Sequence, residues 1–360
     1  MPMNCSRVVF LTLAASMWIA CEHSGGVTGD DPKATARTIS GFQSPEDLVA
    51  LPGGQAILVS EFGDMEGKRA GRLSLFVLDS EARRVLFEGG DADGVAPEWG
   101  DPACPGPPPK AFSPHGIQLS KRAGGELQLL VVQHGGRESI EFFQVEGSGD
   151  DYQVAWRGCV VAPEDTWLNS VAALPGGGFV TTNMMSRSAG GEDLAAAFQR
   201  GEATGYALEW QPGRGFEILS SSRGSMPNGI EVSKDGSRVF LNSSGEQEVR
   251  RIVRETGEVE ARASGIPHLD NARWAPDGRL VVASVTSISS EAFAPCMNLA
   301  VGVCPIPFEI VAIDPVSMES EVLYRSDGTP MGGGTVGLVV GDELFVGSFA
   351  GDRILRVALD

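Results

Sequence analysis

Five side chains able to ligate a metal or move a proton recur at one register of a repeated pattern. Each repeat starts with a polar or glycine residue, alternates through apolar positions, turns at a usually glycine-rich segment and resumes as a second apolar run. The six starts read PEDLVALPGG, PHGIQLSKRAGG, LNSVAALPGGG, PNGIEVSKDG, LDNARWAPDG and GGTVGLVVGD. Aligned on the turn, they give a column of Glu46, His115, Asn169, Asn228, Asp270 and Gly334. Glu46, Asn169, Asn228 and Asp270 offer only oxygen, and Asn271 follows directly. Carboxylate and amide oxygens suit calcium, a hard ion with many ligands in a flexible geometry. Zinc would ask for His or Cys, which the oxygen group lacks. Two carboxylates balance one divalent charge, leaving further positions to water or substrate.

The chain has four histidines: His23, His115, His134 and His268. His115 stands in the column, and His134 ends the second apolar run of the same unit. A hairpin across KRAGGE that sets Ser120 near Gln128 brings His115 near Gln133 and His134. Two adjacent histidines above a calcium would form an acid/base pair, one taking a proton from water and the other orienting it. His268 reads as loop, and His23 lies in an N-terminal tether. A single Asn or Asp at a strand start is ordinarily a turn former. The repetition of one register argues for more than turns.

A column of this kind needs a fold that gathers equivalent positions. The units start near positions 45, 114, 168, 227, 269 and 333, spacings that fit propeller blades with insertions. Second strands such as AILVS, LLVVQH, FVTTN, VFLNS, LVVASV and LFVGSF follow the starts. Third strands read LSLFVLD, SIEFFQV, YALEWQP, EVRRIVRE and FEIVAID. These are short, β-branched and aromatic, with turn signals between. The reading is all-β: a six-bladed β-propeller over residues 39–360 with a central calcium site. A pair of β-sandwiches would leave the repeated start unexplained.

Composition agrees. Forty-seven glycines and 42% hydrophobic residues suit turn-rich β structure. A formal charge of −19 excludes the basic surface that nucleic acid requires. Residues 1–20 hold Arg7 and then an apolar run from Val8 to Ala20. That run is too short for a mature membrane span and suits a secretory signal. It ends Trp18-Ile19-Ala20-Cys21, resembling a bacterial lipoprotein box in which Cys21 is lipidated, with Trp18 in place of the usual Leu. Either a lipoprotein signal or a plain signal peptide fits. Export to the periplasm, anchorage at the outer membrane or secretion follows, with residues 21–38 as a polar tether and any membrane contact confined to the lipid anchor. Beyond Cys5 and Cys21, Cys104, Cys159, Cys296 and Cys304 suggest disulfides in an exported protein, Cys296–Cys304 and Cys104–Cys159 being the favoured pairing.

The stretches SPEDLVALPGG, SPHGIQLS, LLVVQHGG, LNSVAALPGGGFVTTN, MPNGIEVSKDG, HLDNARWAPDG, GGTVGLVV and LFVGSF resemble the paraoxonase/arylesterase family over residues 40–360. PNGI…DG alone is shared with wider gluconolactonase- and strictosidine-synthase-like propellers. The Glu46-Asp47 pair, PHGI, the second histidine and Asp270-Asn271 are the more specific combination. The resemblance implies a catalytic calcium on Glu46, Asn169, Asn228, Asp270 and Asn271, and a histidine dyad of His115 and His134. It also implies a second, structural calcium on Asp47 and the Ile117 carbonyl, whose third ligand, an aspartate in the family, is Ser170 here. The family's disulfide between terminal strands is absent, because no cysteine follows Cys304, so ring closure would rest on strand pairing. The insertion APCMNLAVGVCPIPF would roof the channel mouth. The implied activity is calcium-dependent hydrolysis of small-molecule lactones or aryl esters. Two alternatives stand beside it: a sugar lactonase that makes no use of the histidine pair, and a non-catalytic, surface-anchored propeller scaffold.

Overall fold

The computed structural model describes residues 36–359 except 64–68, 91–97, 190–196, 198–199, 288–289 and 298. The signal-like segment, His23 and Cys21 lie outside the described residues. Six sheets form. Their innermost strands are Pro45–Ala50, Pro114–Lys121, Thr166–Ala173, Pro227–Val232, Leu269–Trp274 and Gly334–Val340. Each innermost strand packs against the next, and the sixth against the first, closing a six-bladed propeller. The blades are numbered 1 to 6 in that order.

Sequence composition follows position in the blade. Every position of the second strands Ala56–Glu61 and Leu280–Val285 is buried, because neighbouring blades cover both faces of the sheet. Such strands read as continuous apolar runs, whereas the outer strand Arg83–Phe87 is partly exposed along its length. Six apolar wedges, one between each pair of neighbouring blades, fill the ring; Leu58 and Leu75 of blade 1 meet Leu129 and Phe143 of blade 2 in one of them. Each such side chain contributes about 2 kcal/mol on burial, which pins strand register and with it the polar column.

Two blades depart from four antiparallel strands drawn in chain order. Blade 2 adds Trp99–Gly100, parallel to its outer strand Gln153–Val161. Blade 6 takes its outermost strand, Ala36–Ser40, from the other end of the described chain, paired with Arg353–Ala358. Ring closure is thus by strand pairing, and residues 36–38, read from sequence as tether, belong to that strand. Disulfides join Cys104 to Cys159 and Cys296 to Cys304. The second closes the insertion between the second and third strands of blade 5. That insertion packs on blade 6: Phe293 stacks on Phe349 at 5.4 Å and the Gly351 N–H donates to the Leu299 carbonyl at 2.8 Å. Among the described residues no helix is long and apolar enough to cross a membrane.

Candidate active site and cation cage

Every inner strand carries one residue more than its partner at the same place. Pro45 pairs with Glu61 but Asp47 with Ser60, and Pro114 pairs with Gln133 but Ile117 with Val131. The same slip separates Leu168 from Val171, Pro227 from Ile230, Leu269 from Ala272 and Gly334 from Val336. A bulge of this kind leaves a residue unpaired and re-aims its side chain. The residues so freed include Glu46, His115, Asn169, Asn228 and Asp270. In blade 6 the freed residue is Thr335, which corrects the alignment that put Gly334 in the column. Gly334 pairs with Ser348, and a Cβ there would meet the Phe308 ring at 2.7 Å. Thr335 donates its hydroxyl to the Glu46 carbonyl at 2.6 Å.

The glycines of PHGI and PNGI have a related cause. A Cβ on Gly116 would lie 2.4 Å from the Asn169 carbonyl, and one on Gly229 would lie 2.4 Å from the Asp270 carbonyl. Only glycine lets the next blade's column residue come so near. Thr182 donates to the Asn228 carbonyl at 2.6 Å and Asn242 to the Asp270 carbonyl. Column backbones are therefore tied from blade to blade.

Glu46, Asn169 and Asn271 are buried, while Asn228 and Asp270 are half-buried. Asn271 Nδ2 donates to Glu46 Oε1 at 2.7 Å, and the Asn228 amide lies close enough to the Asp270 carboxylate to favour its charged form. Glu46 Oε2 and the Oδ1 atoms of Asn169, Asn228 and Asn271 are buried and have no donor. Buried acceptors are almost always satisfied, so four orphans on residues freed by the bulges of four inner strands call for an electron-poor partner. The donor set, two carboxylates and three amides, fits a hard cation of the calcium class. Among the described residues no three His, Cys, Asp or Glu side chains form a metal-binding group, so the amides carry the fit.

His115 and His134 meet, Nδ1 to Nε2, at 2.9 Å. The bulge makes Pro114 rather than His115 the partner of Gln133, and His134 sits just past the strand end. His134 Nδ1 lies 2.9 and 3.0 Å from the two oxygens of Glu138. A carboxylate only accepts, so Nδ1 of His134 carries the proton and Nε2 accepts from His115 Nδ1–H. His115 Nε2 is then left facing Glu46 Oε1, 3.4 Å away. Glu138 is held in turn by Arg187 and by the Leu168 N–H at 2.6 Å. On its far side Glu138, with Arg137, Asp165, Thr166 and Arg187, lines a surface depression of about 360 Å³. Phe62 stacks on His115 at 4.9 Å, and Trp167 lies along His134 at 5.1 Å.

Burial pushes both imidazoles toward neutrality, but the outcomes differ. For His115 the nearby Glu46, with Asp270 and Asp47, outweighs burial and raises its pKa. For His134 burial prevails over Glu138, with His115 and Arg187 adding to it, and the pKa falls. Burial and the Glu46 charge raise Asp270 well above the usual carboxylate range, against the pull of His115. Carboxylates crowded this way are poised to gain from a bound cation.

No family model and no curated protein matches this chain. Solved structures do match. A luciferin-regenerating enzyme superposes with a TM-score of 0.54 at 13% identity, over 90% of this chain and 95% of that one. A gluconolactonase candidate gives 0.49 at 13% identity, over 91% and 93%. Regucalcin, a calcium-binding protein from Agrobacterium tumefaciens, gives 0.49 at 12% identity, over 89% and 91%. At such identity the likeness is one of fold.

Other site residues went unread in the sequence. Glu138 and Arg187 lie outside the repeat, in the turn after His134 and at the end of a blade 3 strand. Arg273 had a signal: a charged residue inside the inner strand LDNARW. It is buried, 4% exposed, and reaches Asp47 and the Ile117 carbonyl. His268 occupies a left-handed turn, φ 35°, ahead of that strand.

Proposed function

We propose that the chain is a calcium-dependent hydrolase of small lactones or aryl esters, with a site of the paraoxonase type. The observation that carries this reading is the hydrogen-bonded line from Glu138 through His134 to His115, which ends on a cage of unpartnered oxygens. Glu46, Asn169, Asn228, Asp270 and Asn271 would hold the ion. Calcium supplies Lewis acidity at an ester carbonyl and charge for the oxyanion. His115 Nε2 takes the proton of the attacking water. His134 accepts from His115 Nδ1–H and Glu138 from His134 Nδ1–H, so the positive charge formed on His115 is stabilised along the line. The proton then returns to the leaving alkoxide or phenoxide.

The rings of Phe62 and Trp167 flank the pair. Because the surroundings of the pair are apolar, we expect aryl or lipophilic acyl groups to be hydrolysed in preference to polyhydroxylated sugar lactones. Two disulfides support export, and mass analysis of the mature N-terminus tests cleavage before Cys21 and its lipidation.

The decisive assay uses the purified full chain on a panel of aromatic esters and lactones. Chelation should abolish turnover and calcium should restore it. His115→Gln should lower kcat by about 10²- to 10⁴-fold with calcium uptake retained. Turnover indifferent to both chelation and His115→Gln would overturn the mechanism.

A further inference from the structure

One step along the inner strands from the oxygen cage, the ring holds a second gathering of oxygens, and a side chain of the protein already occupies it. Arg273 lies two residues beyond Asn271 on the inner strand of blade 5. Its Nη2 donates to the Asp47 carboxylate of blade 1 and, at 2.5 Å, to the Ile117 carbonyl of blade 2. Its Nε donates to the Leu48 carbonyl at 3.1 Å, and its Nη1 to the carbonyl of Ala272 at 2.7 Å. Glu231 of blade 4 stands 3.7 Å from Nη1. Asp47 also accepts from the Leu48 N–H at 2.8 Å and the Ile117 N–H at 2.7 Å. Glu231 accepts from Gln118 at 3.2 Å, and Gln118 accepts from the Ala173 N–H of blade 3 at 2.6 Å. One network centred on a guanidinium thus links five of the six blades.

The residues that the family resemblance assigns to a structural calcium do not fit one here. Asp47 and the Ile117 carbonyl both accept from Arg273. Ser170 offers a neutral hydroxyl that makes no hydrogen bond to Asp47 or Arg273. A divalent ion at this place would meet a fixed positive charge at close range, with little water to screen it. A planar guanidinium, by contrast, satisfies several oxygens from different strands at once and is charged at every accessible pH.

We propose that Arg273 is the built-in cation of the inner ring. It takes the structural role a second calcium would have, so no calcium binds between Asp47 and Ile117 and the ring is held there independently of one. The inference does not depend on the hydrolase reading, since the cage contributes equally to parent and variant.

The test compares calcium uptake, by equilibrium dialysis, and thermal melting of the full chain with Arg273→Ala. The variant leaves Asp47 and Glu231 without their cation. It should melt on the order of 10 °C lower in chelator, take up one more calcium per chain than the parent, and recover much of the loss in millimolar calcium. The double variant Arg273→Met/Asp47→Asn, which removes charge from both sides of the pair, should melt closer to the parent than Arg273→Ala does. Melting of Arg273→Ala within a few degrees of the parent, or equal calcium uptake by the two, overturns the proposal. If Arg273→Ala yields no folded protein, the double variant decides: a folded chain supports the proposal and failure to fold overturns it.

Discussion

Around Glu46, Asn169, Asn228 and Asn271 four buried oxygens have no donor, whereas around Asp47 and the carbonyls of Leu48 and Ile117 an arginine already donates. The two places share strands and lie at neighbouring registers. They differ in what the chain itself supplies. At the cage, amide nitrogens are spent on protein partners, Asn271 on Glu46 and Asn169 on the sulfur of Met184, so the oxygens are left bare. At the second place one long side chain from blade 5 fills the space and satisfies its neighbours. Bare oxygens suit an exchangeable cation. Satisfied ones suit structure alone.

This contrast can be broken or sharpened by substitution. The largest effect belongs to Asp270, one of the two carboxylates of the cage. Asp270→Ala should remove calcium uptake and lower hydrolysis on the order of 10³-fold or more, read by calorimetry and steady-state kinetics together. Unchanged uptake with lost turnover would move Asp270 from the cage to the chemistry. Glu138→Gln should come next. The amide can present N–H to His134 Nδ1 and so undo the tautomer the carboxylate imposes, lowering kcat by roughly 10²-fold. KM and calcium affinity should stay near the parent's; a matching loss of calcium affinity would show that Glu138 supports the cage instead of the relay. The smallest effect is expected at Thr335. Its hydroxyl bonds the Glu46 carbonyl across the closure of the ring, so Thr335→Val should cost about 1 kcal/mol in urea unfolding and leave turnover almost unchanged. A large loss of turnover there would mean that the cage tolerates no shift of the Glu46 backbone.

Much of the architecture was readable in advance, because each blade repeats one hydrophobic pattern and repetition averages out local ambiguity. The second strands of all six blades lay within reach of it; the two disulfides followed from the cysteine number of an exported chain, and closure by strand pairing from the absence of a cysteine after Cys304. The bulge was not readable. Alternation alone put His115 opposite Gln133 and placed Gly334 in the column, since an extra unpaired residue leaves the composition of a strand unchanged. Glu138 and Arg187 escaped for a different reason: they belong to loops, where no period marks a position as special.

The sequence by itself determined the number of blades and the chemical character of five of the six column positions, because these follow from periodicity and residue type. Tertiary structure alone decided which oxygens are bare and which are satisfied. Asp47 and Glu46 are chain neighbours of the same type, yet one faces a guanidinium contributed from 226 residues away and the other faces His115 and the Asn271 amide, with its second oxygen left without a donor. Partners brought together across the ring set the charge and hydration of a buried group, and no local pattern encodes them.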